Sequence, residues 1–131
     1  ISVLEIQGTG DPLVPYTGGS IGLLAGRESD PRGKVISAAD NFNFWTSFDK
    51  CTGSAKETKL TDTDPNDGTT SSRSLHETCE NGTQVGLITV TNGGHTWPGG
   101  KQYLGERLVG KVSRDFSASK IIWDFFKTKS R

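Results

Sequence analysis

The stretch VGLITVTNGGHTWPGG, Val85–Gly100, decides how the chain is read. Its first part, Val85-Gly86-Leu87-Ile88-Thr89-Val90, is a short, nearly continuous apolar run, the pattern of a strand buried on both faces. Its second part, Asn92 to Gly100, is rich in glycine and holds Pro98, so it reads as a loop. His95 lies on that loop, a few residues past the strand, between Gly94 and Thr96. Such a histidine is open to substrate and can carry a proton near neutral pH. It can equally be a surface histidine with no role. Trp97, stiffened by Pro98-Gly99-Gly100, either walls a pocket beside His95 or plugs the loop onto the core.

Upstream, Ser74–Cys79 and Gln84–Val90 flank Glu80-Asn81-Gly82-Thr83, which reads as a hairpin with Asn-Gly in its turn. The triplet Asn81-Gly82-Thr83 is also a glycosylation sequon, a pattern that turns produce often by chance. His76 falls inside the first arm and reads as a strand-face residue. Lys56–Thr61 is a further strand candidate, and Thr61–Ser72 is a polar surface loop. Val35, Ala38, Ala39, Phe42, Trp45 and Phe48 recur at helical spacing and predict an amphipathic helix over Val35–Asp49, its aromatic stripe facing the core.

At the start, Ile1–Ile6 is a strand candidate, followed by a loop from Gly8 to Gly33 with seven glycines and three prolines. At the end, Ser117–Lys129 carries Ile121, Ile122, Phe125 and Phe126 on one stripe, with Ser117 or Asp115 as its cap. Strand, helix, strands, helix is the order of an α/β layer arrangement.

Composition narrows the class. A chain of 131 residues fits one domain, and at 31% hydrophobic with 17 glycines it has a modest core and many loops. Fifteen basic and fifteen acidic residues cancel, so no broad field favours nucleic acid or an anionic membrane. The basic end, Lys127 to Arg131, reads as a solvated helix terminus. No apolar run approaches the ~18 residues of a membrane span. The chain opens inside a strand and has no methionine, which reads as a processed or truncated piece. Its two cysteines, Cys51 and Cys79, lack C-x-x-C spacing and lie apart from both histidines, so no zinc set is expected. They form either one disulfide, which implies an oxidising compartment, or two free thiols.

The segment Gly8–Gly22 offers three candidate sites. Gly18-Gly19-Ser20-Ile21-Gly22 spells G-x-S-x-G, but a nucleophile elbow needs a strand leading in and a helix leading out. Ser20 has prolines and glycines before it and no helical period after it. Gly8-Thr9-Gly10 with Asp30 faintly matches a dinucleotide fingerprint, yet Leu13 occupies the third glycine position and prolines block the helix. Asp11 sits just past a strand's C-terminal end, where open α/β sheets display functional groups. There it either holds a histidine's Nδ1–H or makes an Asx-turn into Pro12.

Together, LEIQGTGDPLVPYTGG, FWTSFDKC, the cysteine at 79 before VGLITVTNGGHTWPGG, and DFSASKIIWDFF resemble the C-terminal half of secreted α/β-hydrolases of the polyhydroxybutyrate depolymerase and feruloyl esterase type. The four pieces occur in order and span nearly the whole chain. One departure is Gln7, which replaces the histidine of the family's usual His-Gly-Thr motif. The resemblance implies an α/β fold, with a mixed sheet, a β-hairpin extension and helices packed on it, as one partial domain over residues 1–131. It implies that Asp11 is the triad acid, that His95 is the general base, that Cys51 and Cys79 pair, and that Trp97 lies near the substrate. It further implies an ester substrate, a secreted or periplasmic location, and no metal or organic cofactor. In such hydrolases the nucleophile precedes the acid and the base along the chain, so the serine and the oxyanion hole belong to an absent N-terminal half. Nucleic acid and membrane are not expected as partners. The rival readings are a small hydrolase using Ser20, a fragment with no independent role, and a non-catalytic disulfide-linked domain that binds carbohydrate or polymer through Trp97.

Overall fold

The computed structural model describes residues 1–22 and 33–129. Asp30 of the dinucleotide reading and the last two residues of the basic end lie outside that range. The strands are β1 (Val3–Gly8), β2 (Gly19–Ser20), β3 (Lys34–Val35), β4 (Lys56–Lys59), β5 (Thr70–His76) and β6 (Val85–Thr91). The helices are α1 (Ala38–Phe48), the single turn α2 (Glu106–Val109) and α3 (Ala118–Phe126).

Four strands form one mixed sheet in the order β1-β6-β5-β4, with helices packed on it, an α/β arrangement compatible with part of a hydrolase fold. β1 runs parallel to β6, with Val3 opposite Val85 and Gly8 opposite Val90. β5 and β4 extend the sheet as antiparallel neighbours on the other side of β6. Among the described residues, the outer edge of β1 has no strand partner.

The apolar run at Val85–Val90 is central, and both of its faces are covered. On one face, Glu5 of β1 accepts a hydrogen bond from Asn41 of α1, and Phe42 of α1 stacks on His76, which is paired with Val85. On the other, Phe125 of α3 approaches Gly86 beside Leu4 and Leu75. Side chains alternate along a strand, so α1 and α3 lie on opposite faces. Val85, Leu87, Ile88 and Val90 are all buried. Each contributes about 1.5–3 kcal/mol through the apolar surface it removes from water.

Local signals explain the helix boundaries. Ser37 caps α1 by accepting from the Asp40 backbone N–H, so the helix starts three residues after Val35, which is taken by the short β2–β3 pair. Ser117, not Asp115, caps α3 by accepting from Lys120 N. Asp115 is buried and accepts from Thr63 N. The stripe on α1 is only partly core: Ala38 is buried and Phe42 and Trp45 are half-buried, whereas Ala39 and Phe48 are exposed. The hairpin is also looser than Asn-Gly implies. Residues 77–84 connect its arms through a 3₁₀ turn at Glu80–Gly82, and β5 begins at Thr70 inside the expected loop. A disulfide joins Cys51, just past α1, to Cys79 in that connection. His76, as a strand residue, is buried, and among the described residues its Nδ1 has no hydrogen-bond partner.

Candidate active site

The parallel pairing of β1 with β6 brings the ends of two distant segments together. Both strands run out at the same side of the sheet, one into Thr9–Val14 and the other into Asn92–Trp97. Backbone bonds stitch these loops: Thr9 N donates to Val90 O and Gly10 N to Gly93 O, both at 2.9 Å. Such closeness has a steric condition. A Cβ at Gly8 would overlap the Gly93 carbonyl, and one at Gly94 would overlap the Val109 carbonyl.

Asp11 uses its two oxygens for two tasks. Oδ1 accepts from Leu13 N at 2.8 Å and Val14 N at 2.9 Å, closing the turn into Pro12. Oδ2 lies 2.9 Å from Nδ1 of His95. The two readings of this aspartate therefore coexist in one side chain. Its carboxylate is buried, with side-chain exposure of 7%, whereas the His95 side chain is 46% exposed. An ionised Asp11 can only accept, so Nδ1 carries the proton in the neutral ring and Nε2 keeps its lone pair. That is the tautomer of a general base.

The His95 backbone is also held by residues 101–112. His95 N donates to Val109 O at 2.6 Å, and Gly94 N donates to Lys111 O at 2.8 Å. The Thr96 hydroxyl also donates to Lys111 O, and the Tyr103 hydroxyl donates to His95 O at 2.8 Å. Gln102 pins this excursion: Nε2 donates to Leu104 O and Gly110 O, and Oε1 accepts from Val112 N.

A cavity of about 440 Å³ opens beside the pair, lined among others by Ile6, Gln7, Asp11, His95, Trp97 and Tyr103. Trp97 stands at its wall, 54% exposed, with its indole N–H donated to Ser119 Oγ. Gln7 lines the same cavity and reaches toward Val14 O. Ser20 belongs to β2, paired with Lys34, and is not among the lining residues. Cys51 and Cys79 lie beyond the opposite ends of the parallel strands, where Val3 pairs with Val85. Among the described residues, no three His, Cys, Asp or Glu side chains gather to hold a metal ion, and no helix is long and apolar enough to cross a membrane.

Sequence reading missed Gln102 and Tyr103. Residues 101–112 have no apolar period, and α2 is a single turn, so the only signal was proximity to His95 along the chain.

The arrangement can hold an imidazole in one tautomer, stabilise the imidazolium formed when it takes a proton, and admit a substrate of modest size beside it. Two known proteins are similar to the chain. "Putative esterase NocK" of Nocardia uniformis subsp. tsuyamanensis is 33% identical over 132 residues, covering 95% of this chain and 37% of the relative. "Feruloyl esterase B" of Piromyces equi is 32% identical over 99 residues, covering 76% of this chain and 16% of the relative. The chain thus has an esterase-like relationship and spans well under half the length of either relative. No family model matches it. No solved structure matches it.

Proposed function

We propose that this chain is the acid-and-base portion of a serine carboxylic-ester hydrolase, supplying Asp11 and His95 to a nucleophile carried by a segment outside it. The observation that carries this reading is the 2.9 Å contact between His95 Nδ1 and a buried Asp11 carboxylate at the wall of an open cavity. The two esterase-named relatives support it, because both are far longer than the stretch they share with this chain.

In that reaction His95 Nε2 takes the proton of a serine hydroxyl as the oxygen attacks the ester carbonyl. The imidazolium then delivers the proton to the departing alkoxide, which leaves as the alcohol. In the second half-reaction His95 takes a proton from water as its oxygen attacks the acyl-serine. The imidazolium returns that proton to the departing serine oxygen, releasing the acid and restoring the neutral base. Asp11 stays ionised throughout, fixing the tautomer and the ring plane. The apolar lining by Ile6, Val14, Trp97 and Pro98 suits an aryl or alkyl portion of the ester. A feruloyl ester fits that chemistry, as does a short polyester chain. The disulfide fits export to an oxidising compartment.

An isolated base and orienter have no serine to activate, so the chain alone is expected to show no specific turnover of a chromogenic short-chain ester. Burst kinetics titrating one site per chain would overturn this. A fluorophosphonate label lost on Ser20→Ala would then identify the nucleophile as internal. Polymer binding that survives His95→Ala and vanishes with Trp97→Ala, without any ester cleavage by the full-length protein, would favour a binding module instead.

A further inference from the structure

We infer that Tyr103 is a positioning residue for His95, acting through the histidine's backbone; the inference rests on the reading of His95 as the general base. Tyr103 is 56% exposed, yet among the described residues its hydroxyl has a single partner, the His95 carbonyl at 2.8 Å. The exposed tyrosine therefore does not owe its placement to burial.

The excursion that carries it is braced by its neighbour's side chain. Gln102 precedes it and spans the excursion, donating to Leu104 O at 2.8 Å and Gly110 O at 2.9 Å while accepting from Val112 N at 3.1 Å. The other polar group of the His95 backbone, its N–H, is bound by Val109 O from the same excursion. Both main-chain groups of the base are thus held by residues 103–109, and its ring is held by Asp11.

This division has a chemical consequence. Gly93 and Gly94 have no side chains, so the position of the His95 loop rests on its backbone hydrogen bonds, and the Tyr103 hydroxyl supplies the one to His95 O. Asp11 fixes the ring only while the loop presents Nδ1 to it. With the Tyr103 hydroxyl gone, the His95–Thr96 peptide keeps its N–H bond to Gly94 O but its carbonyl loses its partner, and a small shift of that carbonyl moves the imidazole relative to the carboxylate. The ring of Tyr103 borders the same cavity as Trp97 and can also touch substrate, so the hydroxyl and the ring must be tested separately.

Tyr103→Phe in the full-length protein that carries this chain removes the hydroxyl and keeps the ring. The low-field Nδ1–H proton resonance of His95 is expected to broaden or vanish. With a chromogenic ester, kcat is expected to fall about fivefold, the size of one lost hydrogen bond, with KM within about twofold of wild type. Replacing Tyr103 with 4-aminophenylalanine, which restores an N–H donor, is expected to recover both signals. An unchanged resonance with unchanged kcat overturns the proposal. A rise in KM alone also overturns it, leaving Tyr103 as a substrate contact. If the wild-type protein shows the resonance but cleaves no ester, the hydrolase reading fails, and the resonance in Tyr103→Phe still decides the positioning role. If wild type lacks the resonance, the Asp11–His95 contact is not held in solution and the proposal falls with it.

Discussion

The two ends of the parallel β1–β6 pair are held by different means. At the end where the strands begin, a disulfide ties Cys51 to Cys79, and Glu80 N donates to Asp49 O beside it. At the end where they finish, among the described residues no covalent bridge is present, and three chain segments meet through glycines and backbone hydrogen bonds. The first end is fastened to keep its elements together. The second is fitted closely enough to present one carboxylate to one imidazole. A site of this kind depends on close backbone approach, which a cross-link elsewhere neither supplies nor replaces.

The largest expected effect tests the fitted end. In the full-length enzyme proposed above, Asp11→Asn is expected to lower kcat on the order of 10⁴-fold, by placing the histidine in the wrong tautomer. The fold should persist, because the asparagine oxygen can still accept from Leu13 and Val14. Steady-state kinetics with matched circular dichroism checks this, and a loss below tenfold would remove Asp11 from the mechanism.

Next comes the fastened end. Replacing both Cys51 and Cys79 with serine is expected to cost about 3 kcal/mol in denaturant unfolding, because the bridge closes a loop with a sequence separation of 28 residues. The His95 resonance should survive in the folded fraction. Its loss would show that the bridge also shapes the site, and the contrast between the ends would break.

Gly94→Ala is the converse experiment. Its methyl group has no room against the Val109 carbonyl and the Gly110 backbone, so roughly 1–3 kcal/mol of stability should be lost. The Asp11–His95 signal is expected to disappear even where the protein remains folded, while the disulfide still forms. Amide exchange would show the opening confined to residues 8–11 and 92–111.

The smallest effect lies between the ends. Burial pushes the Glu5 carboxyl above the ordinary glutamate value, and the hydrogen bond from Asn41 pulls in the opposite direction. Because the folded state holds this proton more tightly than the unfolded state, stability should fall as pH rises from the ordinary value through the raised one. Glu5→Gln, which can still accept from Asn41, should flatten that slope and stabilise the protein slightly at neutral pH. Unfolding midpoints at pH 4 and 7 measure it, and an unaltered slope would assign the effect elsewhere.

Much of this was legible along the chain. The run at Val85–Val90 announced a buried strand because both faces are apolar, and the structure places helices against both. Asp11 and His95 were visible as residues that each follow an apolar run beside glycine, but that pattern left a turn or a surface role open. It was the resemblance that selected them as acid and base. The parallel register of β1 on β6 was not legible, since it joins residues about 80 positions apart with no turn to set their alignment. The exposure of Phe48 was misread for a related reason. Helical spacing marks a stripe, but the neighbouring elements decide how much of the stripe they cover. Residues 101–112 escaped notice because a loop pinned by Gln102 has no periodicity to detect.

Sequence alone therefore determined the principal strands and helices, β1, β5, β6, α1 and α3, which follow from local pattern, and it placed Asp11 and His95 just past strand ends. The resemblance, not local pattern, singled them out as acid and base. Tertiary structure decided that Asp11 and His95 meet, that one carboxylate serves both a turn and a histidine, and that Tyr103 reaches the base from outside. Those facts depend on angstrom-scale approaches between segments remote in the chain. Such approaches are set by register and by the absence of a Cβ at Gly8 and Gly94, and no local pattern encodes them.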